Sequence, residues 1–333
     1  MRITVTGGVG YIGSHTVVEL LDAGHAVLIL DNFANAERDV PDRIAAIAGR
    51  GADVHEADIT DPASYRRELA SFSPDSVIHF AGLKAVGEAG EVPLEYYRVN
   101  VAGSVKLFQE MDAIGCSRLV FSSSATVYGD PDQVPVSEDH PLRPTNPYAH
   151  SKRMVEQIVE DWGRANPTLA AVNLRYFNPV GAHSSARIGE APQGVPNNLM
   201  PYVAQVAAGW REQLSVFGDD YDTPDGTGVR DYIHVMDLAA AHLAALDLTA
   251  GVPGVQPINI GTGRGYSVLE MIRAFEAASG QTIPYVVTDR RPGDVASSLA
   301  DPTLAEARMG WKATRDLQVM CDDAWAWQRR WNR

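Results

Sequence analysis

Tyr148 and Lys152 stand four residues apart in Tyr148-Ala149-His150-Ser151-Lys152, a spacing that puts a phenol and an ammonium on one face of a helix. A phenol beside a positive charge can take and return a proton, the task of a general acid–base in an alcohol oxidation. Moving its pKa from near 10 to about 7 requires roughly 4 kcal/mol of differential stabilisation of the phenolate. An exposed lysine supplies about 1 kcal/mol. The chemistry therefore demands a desolvated Lys152, helped by the helix N-terminus and by any further positive charge beside the phenol. Asn146 and Pro147 suit the N-cap and first turn of that helix. Ser124, within 121–129, follows a strand and can hydrogen-bond the same substrate hydroxyl. Two alternatives stand beside this chemistry: a Tyr and Lys that pack on a helix face, and a serine that satisfies its own loop.

A hydride acceptor is implied by Gly7-Gly8-Val9-Gly10-Tyr11-Ile12-Gly13, which follows a short apolar strand and opens a helix. Glycines there let backbone approach a pyrophosphate while the helix N-terminus faces its charge. Gly7, Gly10 and Gly13 fit the fingerprint spacing, and Asp31 closes the next strand. A carboxylate at that place accepts hydrogen bonds from the adenosine ribose and repels a 2′-phosphate, which favours NAD over NADP. Asp58 falls near the adenine, and Phe80-Ala81-Gly82-Leu83-Lys84 along the pyrophosphate and ribose. Singly, Asp58 also reads as a loop carboxylate and Lys84 as a solvated surface charge.

The elements that must position these groups form an α/β pattern. Strands are expected at 3–6, 26–30, 54–57, 76–80, 118–122 and 169–174, alternating with helices at 12–23, 62–71, 92–113 and 147–164. That rhythm predicts a doubly wound parallel sheet, a Rossmann-type NAD-binding fold over 1–178. Beyond it the texture turns to Gly, Pro, Asn and Asp, with a helix expected at 197–208. Residues 179–333 read as a smaller substrate lobe over the C-terminal edge of the sheet, with returns to the first domain near 233–261.

The 333 residues are 45% hydrophobic, enough for a sizeable core, and carry a formal net charge of −14. Scattered basic residues on an acidic chain argue against nucleic acid. No apolar run approaches the roughly 20 residues of a membrane span. Cys116 and Cys321 have no metal-ligand spacing, so no metal is expected, and no basic n-region with an apolar core precedes the first strand. The expected compartment is the cytoplasm.

These motifs, with 79–88, 122–129, 174–183, 195–201 and 226–235, make the chain resemble the UDP-galactose 4-epimerases of the extended short-chain dehydrogenase/reductase superfamily over essentially its whole length. The resemblance implies catalytic roles for Ser124, Tyr148 and Lys152. It implies NAD contacts for Gly7, Gly10, Tyr11, Ile12, Gly13, Asp31, Asn32, Asn35, Asp58, Ile59, Phe80, Ala81, Gly82, Lys84, Tyr148, Lys152 and Phe177. It further implies UDP-sugar contacts for Lys84, Ser124, Tyr148, Phe177, Asn178, Asn198, Leu199, Phe217, Arg230, Arg291, Asp294 and Ser298. Two arginines neutralise a diphosphate and Asp294 accepts from the uridine ribose.

The implied reaction is inversion at C4 of a UDP-hexose in a homodimer. A small Ser298, where similar enzymes with tyrosine are restricted to glucose and galactose, implies room for an N-acetyl group as well. Val99 departs from relatives with Asn there, and Ala149-His150 from those with Gly-Lys. His150 and His183 are less fitting bases than the complete Ser, Tyr and Lys set. Related nucleotide-sugar 4,6-dehydratases carry an Asp-Glu pair where Ala125-Thr126 stands. A non-catalytic NAD sensor would require neither the proton-transfer set nor the two arginines.

Overall fold

The structure, a computed structural model, describes residues 1–251, 253–291 and 294–331. In chain order its strands are β1 (Arg2–Thr6), β2 (Ala26–Asp31), β3 (Asp53–Glu56), β4 (Ser76–His79), β5 (Arg118–Ser124), β6 (Ala170–Tyr176) and β7 (Asn178–Val180). There follow β8 (Leu214–Phe217), β9 (Val229–His234), β10 (Gly254–Ile260), β11 (Gly265–Ser267), β12 (Tyr285–Thr288) and β13 (Ser297–Ser298). Seven form one parallel sheet in the order β10-β6-β5-β4-β1-β2-β3. The chain builds outward from β1 through β2 and β3, then crosses to β4 on the other side. That reversal opens a crevice at the C-terminal strand ends, the ligand site of open α/β sheets.

Both sheet faces are covered, as an all-parallel sheet requires. On one, Val17, Val18 and Leu21 of the helix Tyr11–Asp22 and Leu238, Ala241 and Ala245 of the helix Val235–Gly251 pack on Ile3, Val5 and Ile29. On the other, Leu107 and Met111 join Val155 and Val159 over Val77, Leu119 and Phe121. Each fully buried aliphatic side chain of this kind contributes about 1.5–3 kcal/mol by leaving water.

A smaller lobe is built around β9, which pairs with β7, β11 and β13, while β8 pairs with β12. Val203, Val216, Met271, Phe275 and Met320 form its core. The helix Val268–Ser279 opens with a capping box between Ser267 and Glu270. Strand β10 and the helix Val235–Gly251, late in sequence, join the large sheet and its cover.

Two expected helices differ. The region 62–71 breaks at Tyr65 into a 3-10 turn, Pro62–Ser64, and the helix Arg66–Phe72. Residues 92–113 are not one α-helix: Pro93–Tyr96 leads into a π-helical stretch, Tyr97–Gly103, and then Ser104–Ala113. The wider turn carries Asn100 into the interior, and such insertions gather at functional sites. Strands β5 and β6 run two residues further than their apolar cores because parallel pairing continues through Ser124↔Tyr176. Among the described residues no helix is long and apolar enough to cross a membrane. Cys116 and Cys321 are buried, unpaired thiols.

Candidate active site

At the end of β1 the chain turns through Gly7, whose φ of +72° favours glycine. A Cβ on Gly7 would lie 2.8 Å from the Ala81 nitrogen, and one on Gly13 would lie 2.1 Å from the Gly7 oxygen. The turn is therefore compressed between the loop after β4 and the start of the helix Tyr11–Asp22. Gly10 caps that helix without a side chain, so no side chain blocks its N-terminal N–H groups. This cradle fits a pyrophosphate.

Asp31 ends β2 and accepts from the Val9 and Phe33 N–H groups at 3.1 and 2.9 Å. Burial pushes its carboxyl up from the usual range, and those two donors oppose the shift. Asn32 accepts from Ala34 N–H, Asn35 is exposed, and Asp58 accepts from Thr60 N–H at 2.8 Å. Ile59 is buried. Phe80 packs against His242, ring centroids 4.6 Å apart. Tyr11 donates to the Gly181 oxygen at 2.7 Å, tying the glycine-rich helix to the segment after β7. These residues fit a dinucleotide laid across the strand ends.

Asn146 caps the helix Pro147–Ala165, its Oδ1 accepting from Ala149 N–H at 2.9 Å. The helix presents Tyr148 and Lys152 toward β5. Lys152 is 7% exposed; its Nζ donates to the Ser122 oxygen at 2.7 Å and lies 5.9 Å from the Tyr148 ring centroid. Burial draws the ammonium down to about 8, against the opposing charge of Glu156. Burial pushes the Tyr148 phenol up, and a hydrogen bond with Ser124 opposes it. Ser124 also accepts from Thr126 N–H at 3.2 Å. Ser124 thus satisfies its own loop while also lowering the cost of ionising the phenol.

Strand register links this end of the sheet to the smaller lobe. Ser124 pairs with Tyr176; two residues on, Asn178 pairs with Tyr232; Arg230, two residues before Tyr232, pairs with Ser298. Phe177 is buried with Val127 and Tyr128. Asp294 lies 3.8 Å from the Arg230 guanidinium and 3.4 Å from that of Arg291, which stacks 4.6 Å over Phe217. Three dispersed stretches of sequence, around Phe217, Arg230 and Arg291, thus meet in one cationic cluster. Leu199 starts the helix Leu199–Ala207 behind Asn198.

Several participants escaped the sequence reading. Asn100, 4% exposed, accepts from Leu83 N–H at 2.7 Å and donates to the Leu83 oxygen and Ser151 Oγ at 3.0 Å, fixing the loop that carries Lys84. Val99, its neighbour, is only half-buried. Glu156 forms a buried bidentate pair with Arg175 at 2.7 and 2.9 Å and accepts from Ser123. A carboxylate one turn beyond Lys152 and an arginine inside an apolar strand were the available signals. Lys84 pairs with Glu190 at 3.0 Å. His150 is exposed and His183 contacts Ser185, so neither is seen to join the Tyr148 cluster.

The model of the NAD dependent epimerase/dehydratase family matches residues 3–261. The chain is 53% identical over 328 residues to the UDP-glucose 4-epimerase of Bacillus subtilis, covering 98% of this chain and 97% of that protein. Its structure superposes with a TM-score of 0.97, at 49% identity, on UDP-glucose 4-epimerase from Stenotrophomonas maltophila with bound NAD and formylated UDP-arabinopyranose, covering 99% and 98% of the two chains. The UDP-glucose 4-epimerase from Bifidobacterium longum in complex with NAD+ and UDP gives 0.96 at 47% identity, with the same coverage. With its parallel sheet, glycine-rich turn and Ser-Tyr-Lys cluster, this chain belongs to the NAD dependent epimerase/dehydratase family, among its UDP-glucose 4-epimerases.

Proposed function

We propose that this protein is an isomerase that reversibly inverts C4 of UDP-hexoses, interconverting UDP-galactose and UDP-glucose through a transient 4-keto sugar. The observation that carries the reading is a buried phenol whose proton Ser124 helps to release, one turn from a buried ammonium, on a chain 53% identical to such an enzyme.

Tyr148 takes the proton of the C4 hydroxyl and returns it after the sugar has turned over. Ser124 orients the reacting oxygen. The Lys152 charge favours the phenolate, and its fixed place on the Ser122 carbonyl leaves two N–H donors for a ribose. Burial alone keeps the Tyr148 proton in place, so ionisation belongs to the loaded enzyme. NAD, held by the glycine-rich turn, Asp31, Asn32, Asn35, Asp58, Ile59, Phe80 and Phe177, supplies when bound the hydride acceptor and the positive charge of its oxidised ring. Arg230, Arg291 and Asp294 grip the nucleotide. Ala125-Thr126 after Ser124 lacks the Asp-Glu pair expected of a dehydratase.

In this reading residues 1–178, with the returning 233–261, hold the cofactor, and the rest of 179–333 mainly holds the sugar nucleotide. Half-buried Ser298 leaves room at C2, so the N-acetylated pair is also a substrate. An apolar groove lined by Tyr97, Val101, Ala102, Val105 and Met154 supports a homodimer. Free thiols fit the cytoplasm. Incubating the purified protein with UDP-galactose and with UDP-N-acetylgalactosamine, then separating the products, tests the proposal; a 4-keto-6-deoxy sugar, or no turnover, overturns it.

A further inference from the structure

Three consecutive serines end β5, and the proposed chemistry accounts for two of them. Ser122 offers its carbonyl to Lys152, and Ser124 lowers the cost of ionising Tyr148. Ser123 has no part in that chemistry, yet its hydroxyl is fully buried. Side chains alternate along a strand, so Ser123 and its cross-strand partner on β6, Arg175, share the face that the helix Pro147–Ala165 covers. Both donate to one carboxylate of that helix. Ser123 Oγ and Arg175 Nε, the latter at 2.9 Å, reach Glu156 Oε1, and Arg175 Nη2 reaches Oε2 at 2.7 Å. Arg153 stands 3.7 Å from the same carboxylate.

Tyr148, Lys152 and Glu156 follow one another at successive turns on one helix face. Their partners Ser124, Ser122 and Ser123 are the last turnings of one strand. The Glu156–Arg175 pair is thus built into the wall that carries the reacting groups. Stability is a poor reason for it, because a buried ion pair seldom offsets its own desolvation better than an apolar pair of the same volume. Its charge has a second use. Burial draws the Lys152 ammonium down to about 8, and Glu156 is the charge that opposes the fall. The other groups beside Nζ bring no anion: the Phe121 ring at 5.0 Å, the Tyr148 ring at 5.9 Å and, from β4, His79, which burial draws down to about 3 and so leaves neutral.

We propose that Glu156 is a positioning residue for the proton transfer, which locks Ser123 and Arg175 to the helix so that Lys152 and Tyr148 are held at the end of β5, and which supplies the counter-charge of the Lys152 ammonium. This rests on the reading of Tyr148, Lys152 and Ser124 as the proton-transfer set. Without the Glu156 charge the ammonium loses its proton more easily, and the phenolate beside it is harder to form. The pH range in which Lys152 is charged and Tyr148 ionised then narrows from both sides. The rival is a purely structural pair, whose loss lowers the folded fraction and moves neither limb of the pH profile.

Turnover of UDP-galactose against pH, per NAD-loaded protein, separates the two. Glu156→Gln alone would strand a buried guanidinium, so the charges are removed together in Glu156→Gln/Arg175→Met, where the new amide oxygen still accepts from Ser123. Its kcat profile is expected to lose about one pH unit on the basic limb and to rise later on the acid limb. The optimum falls about tenfold, while KM and UDP affinity are unchanged. Ser123→Ala spares both charges, so it is expected to lower kcat about threefold through looser placement and to leave both limbs where they are. Unmoved limbs in the double variant overturn the inference, as does a loss confined to KM or to NAD content. Full activity in Ser123→Ala overturns it too, whether or not the double variant folds. A wild type that does not turn over UDP-galactose defeats the functional reading and this inference together. An active wild type matched by both variants in kcat and pH profile defeats this inference alone.

Discussion

Lys152 Nζ donates to the backbone carbonyl oxygen of Ser122 at 2.7 Å, anchoring a buried ammonium to the strand that ends in Ser124. The contact joins the helix bearing Tyr148 to β5, so phenol, hydroxyl and ammonium are set by two rigid elements instead of by a loop. Proton transfer between fixed heavy atoms gains from such placement.

Tyr148→Phe keeps the ring and removes the proton carrier. Turnover of UDP-galactose is expected to fall by about 10²–10⁴, the usual worth of a positioned general acid–base. NAD released on denaturation and UDP affinity should match wild type. Activity within tenfold of wild type would mean that another group moves the proton.

Arg230→Ala and Arg291→Ala each remove one of the two cations around Asp294, leaving that carboxylate less compensated. UDP binding should weaken by about 2–4 kcal/mol. The larger loss is expected at Arg230, whose side chain is 20% exposed against 54% for Arg291. Calorimetric UDP affinities equal to wild type would place the diphosphate elsewhere.

Ser298 pairs with Arg230 between β13 and β9, so a change there acts next to the Arg230–Asp294 pair. Ser298→Tyr fills the space expected at C2 and should abolish turnover of UDP-N-acetylgalactosamine while sparing that of UDP-galactose, a discrimination made by steric exclusion. Equal loss on both substrates, or a wild type inactive on the acetylated one at saturation, would refute the pocket.

Three buried histidines set an acid limit to stability. Burial draws His15 and His79 down to about 3 and His242 to about 4. The unfolded chain protonates them near 6.5 and so binds more protons than the folded state below that value. Stability must then fall as pH drops from about 6.5, down to about 3 for His15 and His79 and to about 4 for His242, by up to about 1.4 kcal/mol per histidine per pH unit, and their contribution is flat above that window. His242→Phe should make the fall shallower, because His242 Nε2 has no partner among the described residues and its ring packs on Phe80 and Tyr176. Thermal midpoints against pH with the same slope in both proteins would show that other groups govern it.

Local chemistry sufficed for part of this architecture. The β-branched runs and the glycine-rich turn marked β1 and the helix Tyr11–Asp22, and Asn146-Pro147 marked the start of the helix Pro147–Ala165. The i, i+4 spacing put Tyr148 and Lys152 on one face before any tertiary contact was known. These are properties of φ/ψ preference, capping and helical period, which a few neighbouring residues decide. Other features arise only when distant segments meet. The π-helical turn at Tyr97–Gly103 exists with Asn100 bonded to Leu83 and Ser151, and the register from Ser124 to Ser298 crosses four segments. Burial draws Lys152 down, and the packing of helix on strand pairs Glu156 with Arg175. A residue type names what a group can do, whereas its solvation and its partner are supplied by the packed chain.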